Sequence, residues 1–477
     1  MAKRTTQEQS RKRALHLFQR FISNPSGMLA FSNLSRASSY LLPVPFLYNL
    51  STAAAAFWLL ATTIVSLQNL VFLGAPQILV RMLAVANNKS SRIEGQYSVG
   101  DLARLMRLIL TVASVVITLL MLTAGTAAIA NLVGQTDDHF DAWAAWLVLA
   151  LSTPMRIVIL TRLTFLNGVG EIAAPRLADG IAWAVSGILS AATIIVTESL
   201  SAMAVAAQLP IIISALFLGR MANRAGWTDA LHLRREQHLS KVGRAVWAPS
   251  WRAGLGALLS TGSRQGGGIA LAQLASPAVA AGYLLAQNVV SVIMMLSAAP
   301  MQSVIHKLAA LYAQRQTASH IALAEQARSK SLWTVSVLAG GTALAVPVLD
   351  WLGFGYAFVD QVVWSMLALG LFIQRYAAAH LQHYTITNHV VWHWLDGIGG
   401  AVNITTCIFL IPAIGAKGAA LAYLVSMIPV YLWVPTRMAV KRFDMRWPAT
   451  DLRTVTTPLV SLLVMLGLAN VINLPFL

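Results

Sequence analysis

The chain has 477 residues, of which 57% are hydrophobic and only 11% charged, with a mean hydropathy of +0.66. A soluble domain carries about 25% charged residues, so this composition describes an integral membrane protein and excludes a large soluble domain. The formal net charge of +17 would imply nucleic acid in a soluble protein. Here the basic residues gather in loops on one side of the expected spans, as the positive-inside rule requires, and nucleic acid is excluded as a partner.

Residues 1–27 read as a basic cytoplasmic arm carrying Lys3, Arg4, Arg11, Lys12, Arg13 and Arg20. No compact apolar segment with a small-residue cleavage site follows, and Leu15, Phe18 and Ile22 would line one face of an interfacial helix. The first span covers Met28 to Leu50 and the second runs from Ala53 to about Val85, returning the chain to Arg81, Lys89, Arg92, Arg104 and Arg107. A third span, Leu105 to Leu132, leads to the acidic segment Asp137, Asp138 and Asp141. A fourth runs from Ala142 to Leu166, with Trp143 and Trp146 as belt residues on the outer face.

Spans five (Ala173 to Val196) and six (Leu200 to Gly219) complete the N-terminal half, residues 28–220. A basic cytoplasmic linker, 221–250, separates it from the second half, 251–440. That half holds spans seven (Ala253 to Leu274), eight (Val279 to Val304), nine (Leu332 to Leu349), ten (Gln361 to Leu381), eleven (Val390 to Ile411) and twelve (Ala416 to Pro435). Residues 441–477 add a basic loop and a thirteenth apolar run, Val455 to Leu474, which either spans the membrane or lies in its interface. The expected fold is therefore an all-α polytopic membrane protein of two six-helix bundles, related by a pseudo-two-fold axis along the membrane normal, with an extra C-terminal helix. The single Cys407 rules out an intrachain disulfide.

Charges inside the spans are the informative residues. An arginine at membrane depth costs about 2.5–3.5 kcal/mol on insertion scales and persists where it meets water, an anion or a carboxylate. Arg36 lies in span one among serines and ahead of Pro43 and Pro45, which would let the outer part of that span bend. The alternative is that span one starts later and Arg36 snorkels to the headgroups. A weak internal repeat gives Arg36 a counterpart. Asp179-Gly180-Ile181 recurs as Asp396-Gly397-Ile398, and Ala75-Pro76 before Arg81 recurs as Ala299-Pro300 before Lys307. At nearly the same offset Arg36 answers to Arg264 and Arg156 to Arg375. An even number of spans per half gives both halves one orientation, and the four arginines would line a cationic central cavity.

Several ordered motifs resemble a known family. They are Leu73-Gly74-Ala75-Pro76-Gln77-Ile78-Leu79-Val80-Arg81, Leu166-Asn167-Gly168-Val169-Gly170, Ala281-Gly282-Tyr283, and the run from Leu410-Ile411-Pro412 through Lys417-Gly418 to Ala422. Together they are similar to those of the polysaccharide-transporter (Wzx-type) flippases, of the same superfamily as the lipid II flippase and the multidrug and toxin extruders (the MOP exporters). The resemblance covers roughly residues 28–440. It implies a non-enzymatic transporter of the bacterial inner membrane with its N-terminus in the cytoplasm. By alternating access it would carry undecaprenyl-pyrophosphate-linked oligosaccharide repeat units for exopolysaccharide, O-antigen or capsule synthesis. Glycan polymerase and chain-length machinery would be its neighbours besides membrane lipids. On the same resemblance Arg36 and Arg264 meet the pyrophosphate, with Arg81, Arg156, Arg375 and Lys307 as further cavity cations. Two departures stand out: Ser263-Arg264 replaces an Asp-Arg pair, and Ser51-Thr52-Ala53 replaces a Tyr-Gly. The first leaves ion coupling at that position open.

Asp179 and Asp396 are either carriers of a coupling proton or sodium ion or structural partners of Arg156 and Arg375. His380, His383, His389 and His393 crowd the junction of spans ten and eleven with helical spacings. A polar, pH-responsive rim fits them better than a metal site, since no cysteine or intervening glutamate accompanies them. Gly266-Gly267-Gly268 would either unwind span seven to present backbone amides to phosphate or allow close helix packing. No phosphate-binding GxxxxGK[ST] loop occurs, so no cofactor is expected beyond a coupling ion. Two other activities stay open. A multidrug extruder of the same fold would want acidic cavity residues for cationic drugs, and a membrane glycan polymerase or ligase would want a larger outer loop than Asn131 to Asp141.

Overall fold

The computed structural model describes residues 25–72, 74–87, 97–233, 238–351, 358–384, 386, 392–445 and 448–472. The expected interfacial helix around Leu15, Phe18 and Ile22 lies outside these. Within the described residues every regular element is helical. Among the described residues ten helices are long and apolar enough to cross a membrane, which makes this a multi-pass membrane protein.

The three remaining expected spans are the first, second and seventh, and the first two depart from a simple apolar rod for a physical reason. Span one divides into α1 (Pro25–Leu41) and α2 (Val44–Leu50). Pro43 has no N–H to donate back into the helix, so the chain turns there. Span two divides into α3 (Thr52–Ser66) and α4 (Ala75–Asn87). The Ser51 hydroxyl caps α3 by accepting from the Ala54 amide at 3.1 Å. A 3₁₀ stretch, Leu67–Phe72, ends it, and Gly74 at φ +76° starts α4. Span two is thus not the continuous run expected from apolarity alone.

The chain continues through α5 (Val99–Leu120), a π-turn at Met121–Gly125, α6 (Thr126–Val133), α7 (His139–Gly168), α8 (Ala173–Thr197), α9 (Leu200–Arg224) and α10 (Trp227–His232). Then follow α11 (Leu239–Leu274), α12 (Pro277–Ala313), α13 (Thr317–Trp351), α14 (Gln361–Tyr384), α15 (Trp392–Ile414), α16 (Ala416–Tyr431), α17 (Val434–Phe443) and α18 (Ala449–Ile472). The seventh span lies within α11, a longer helix in which polar residues break up the apolar run. The expected basic linker, 221–250, is largely helical, and so are the residues between spans eight and nine. At 37 residues, α12 is about 55 Å long at 1.5 Å per residue, well beyond a hydrocarbon core of about 30 Å. Hydropathy falls at the membrane boundary, but the hydrogen-bonded helix need not stop there.

Two compact units are present. The first comprises Met1–Pro43, Gly74–Leu120 and Ala145–Ser250. Its core packs Leu83, Leu163, Phe165, Trp183 and Trp227. Within it α1 lies along α8 on a seam of small residues. A Cβ on Gly180 would stand 2.5 Å from the Phe31 ring and one on Gly187 2.7 Å from Ser39 Cα, so the close approach depends on both glycines. Buried Ser32, Ser35 and Ser39 complete the seam.

The second unit comprises Val44–Leu73, Met121–Ala144 and Trp251–Leu477, with Trp364, Leu371, Tyr376, Tyr423 and Leu462 in its core. Here α18 packs against α13, where the Ser336 hydroxyl donates to the Pro458 carbonyl at 2.7 Å. The apolar part of α18, Leu452–Val471, is one of the ten membrane-length segments.

Candidate functional site

In the first unit the seam between α1 and α8 buries one carboxylate. Asp179, 1% exposed, accepts from the Ser32 hydroxyl, from Arg36 Nη2 at 3.3 Å and from Trp183 Nε1 at 3.2 Å. A carboxylate this buried persists only when paired and hydrogen-bonded, and three donors achieve that. On sequence grounds Arg156 is the candidate partner of Asp179 if that carboxylate is structural; in the structure the partner is Arg36. One turn of α1 separates Arg36 from Tyr40, and it is Tyr40 that reaches Arg156.

Arg156, on α7, donates to the Tyr40 hydroxyl and, at 2.9 Å, to Gln208 Oε1 on α9. The same oxygen accepts from Ser152 at 3.1 Å. The guanidiniums of Arg36 and Arg156 both lie over the indole of Trp183, at 5.1 and 5.0 Å from its centroid. Arg176 on α8 is in electrostatic range of Asp179 and Arg36, and its Nε is buried without a hydrogen-bond partner. Arg36 carries a compensating carboxylate. Arg156, only 6% exposed, has none within ion-pair distance among the described residues.

In the second unit α11, α12, α14, α15 and α16 enclose a cavity of about 350 Å³. Its polar lining includes Arg264, Gln374, Arg375, Gln382, Asp396 and Tyr431. Asp396 accepts from the Tyr431 hydroxyl and lies in electrostatic range of Arg264. Arg375, the partner expected for Asp396, instead donates to Gln382 Oε1 at 2.8 Å, with its Nε unpartnered. Arg375 is 1% exposed, and no carboxylate lies within ion-pair distance of it among the described residues. Gln374 is fixed by the Tyr423 hydroxyl, which donates to its Oε1 at 2.7 Å.

Gly266, Gly267 and Gly268 do not unwind the helix: α11 continues through them. The bare Gly268 makes room for Gln287 of α12, whose amide donates to the Arg264 carbonyl. Arg81 and Lys307 are exposed and touch none of these groups. Only part of the expected histidine grouping is described. His389 lies outside the described residues, as does the side chain of His393. His380 and His383 meet His320 and Arg328 of α13, two residues no local spacing could have joined to them. No group of three or more metal-ligating side chains occurs among the described residues. Tyr40, Trp183 and Gln208 are further members that sequence reasoning missed. The one available signal was the i,i+4 spacing of Asp179 and Trp183 on a helix.

The backbone has clear relatives among solved structures. The lipid II flippase MurJ, in an inward closed conformation, superposes with a TM-score of 0.62 over 92% of this chain and 94% of its own, at 13% identity. The fold is that of the MOP-superfamily transporters. The MATE multidrug transporter DinF-BH matches over 90% of this chain and 97% of its own, with a TM-score of 0.57 and 13% identity. A MOP superfamily transporter from Pyrococcus furiosus, described as having a binding pocket of reversed polarity, matches over 89% and 98% of the two chains, with a TM-score of 0.55 and 15% identity. No protein-family model and no curated protein sequence matches the chain.

Proposed function

We propose that this protein is a flippase that moves polyprenyl-pyrophosphate-linked oligosaccharide repeat units across the bacterial inner membrane, with its N-terminus in the cytoplasm. The observation that carries this reading is a buried guanidinium in each unit, Arg156 and Arg375, held by glutamine and by no carboxylate among the described residues. A buried charge without a counter-ion is costly, and a diphosphate supplies the missing negative charge in a form that planar guanidinium forks grip well. The likeness to the lipid II flippase supports the same class of cargo. Arg36 and Arg264 take part from partly exposed positions, and Arg36 keeps 35% of its side chain accessible while paired to Asp179. The sequence resemblance to the Wzx-type flippases narrows the cargo to oligosaccharide destined for exported polysaccharide.

The test is the leaflet in which lipid-linked oligosaccharide collects when the protein is depleted. Accumulation in the inner leaflet supports the reading. Unpolymerised repeat units on the outer leaflet would point to a polymerase, and unchanged glycan with altered drug sensitivity to a multidrug extruder.

A further inference from the structure

A second buried polar group, which the cargo reading does not use, sits where the ends of α12, α13, α14 and α17 meet in the second unit. His320 and His383 are each 1% exposed, and their Nε2 atoms lie 2.7 Å apart. His320 Nδ1 stands 3.0 Å from the Leu308 carbonyl. A carbonyl only accepts, so Nδ1 carries a hydrogen, and in a neutral ring Nε2 is then a lone pair. The hydrogen between the rings accordingly belongs to His383. Its imidazole stacks on Phe443 of α17, with centroids 4.2 Å apart and planes at 9°. The His320 ring lies 5.1 Å from the same phenylalanine.

This pair accommodates one hydrogen between its Nε2 atoms. One added proton gives a charged pair that still shares the bond; a second sets N–H against N–H at 2.7 Å, and the contact must break. The neighbourhood resists even the first charge. Arg328 of α13 donates to His380 of α14, 3.1 Å from its Nε2. Arg442 of α17 donates to Tyr312 of α12 at 3.0 Å, while Lys307 and Lys441 are exposed on α12 and α17. No carboxylate touches either ring among the described residues. Added positive charge therefore works against the present packing, and the shared lid over both rings is the short helix α17.

We propose that the His320–His383 pair is a proton-binding site whose occupation loosens α17 from the ends of α13 and α14. It couples proton entry to the conformational change of a transporter. The coupling rests on the transporter reading above, whereas the proton site and the helix movement stand apart from any cargo.

The experiment uses the full chain with Cys407→Ala and spin labels at Ser319→Cys and Arg437→Cys, both exposed positions flanking the pair. Inter-label distances are measured in lipid nanodiscs between about pH 8 and about pH 5. The expected result is a longer distance at low pH, with the response lost in His383→Gln and in His320→Asn. Gln reproduces the Nε2 donor and Asn the Nδ1 donor without titrating. His380→Gln keeps the response. An invariant distance in the histidine-intact protein overturns the proposal, as does a response that survives both substitutions. Nitrogen-15 spectra of labelled histidine in the otherwise unsubstituted chain report the same protonation without relying on the variants folding. A shared Nε2 hydrogen is expected there, and its absence overturns the site. No lipid-linked sugar is present in either measurement, so failure here is distinct from failure of the flippase reading.

Discussion

The seam between α1 and α8 gives a sharp test through Asp179→Asn. In the native protein Oδ2 of Asp179 receives both the Ser32 hydroxyl and Arg36 Nη2, while Oδ1 receives Trp183 Nε1. Asparagine retains the oxygen facing Trp183 but places an NH₂ where Oδ2 was. The Ser32 hydroxyl can rotate and accept from that NH₂; a guanidinium has no acceptor, so the Arg36 bond is lost. Breaking a fully buried ion pair costs about 3–5 kcal/mol. With 35% of the Arg36 side chain accessible to solvent, part of that loss is recovered by hydration. The cost expected for Asp179→Asn is then about 2 kcal/mol, in the range of one charge-assisted hydrogen bond. Equilibrium unfolding by steric trapping in bicelles measures it. A double-mutant cycle with Arg36→Gln isolates the pair, with an expected coupling of about 1–2 kcal/mol. A coupling below about 0.5 kcal/mol would refute the assignment of Arg36, rather than Arg156, as the partner of Asp179.

Gly187→Ala should destabilise the first unit by about 1–2 kcal/mol, because its Cβ would stand 2.7 Å from backbone of α1. Gly219→Ala, with nothing near its Cβ, should stabilise by about 0.5–1 kcal/mol through helix propensity; the same unfolding assay reads both, and equal signs would dispose of the seam. Arg156→Gln and Arg375→Gln should each lower oligosaccharide export at least about tenfold at unchanged membrane levels, that being about 1.4 kcal/mol of lost interaction. Lys330→Gln, an exposed position outside both sites, should leave export unchanged in the same glycan analysis, and near-normal export by both arginine variants would remove the guanidiniums from the cargo site. Tyr40→Phe removes one donor–acceptor contact to Arg156 and should weaken export less than Arg156→Gln does; a larger defect would assign Tyr40 a role of its own.

The membrane class, the number of apolar runs and the exceptional character of Arg36, Arg156, Arg264 and Arg375 are legible from composition and hydropathy, because the cost of a charge in hydrocarbon depends on the residue itself and its place along a span. The Asp179 and Asp396 segments are legible too, since a repeated short motif survives in sequence whatever its surroundings. Helix ends are not. Apolarity marks where lipid stops, and α11, α12 and α13 continue as hydrogen-bonded helices past it.

Which carboxylate meets which arginine was decided only by tertiary structure. Asp179 selects Arg36 because Gly180 and Gly187 draw α1 onto α8. Asp396 meets Tyr431 while Arg375 turns to Gln382. His383 finds His320 on a neighbouring helix. By itself the sequence determined that charge is buried and that it is mainly positive. Packing decided which of those charges meet a carboxylate and which, Arg156 and Arg375, meet glutamine instead. Pairing depends on distances of a few ångströms between segments far apart in the chain, and no local pattern encodes those.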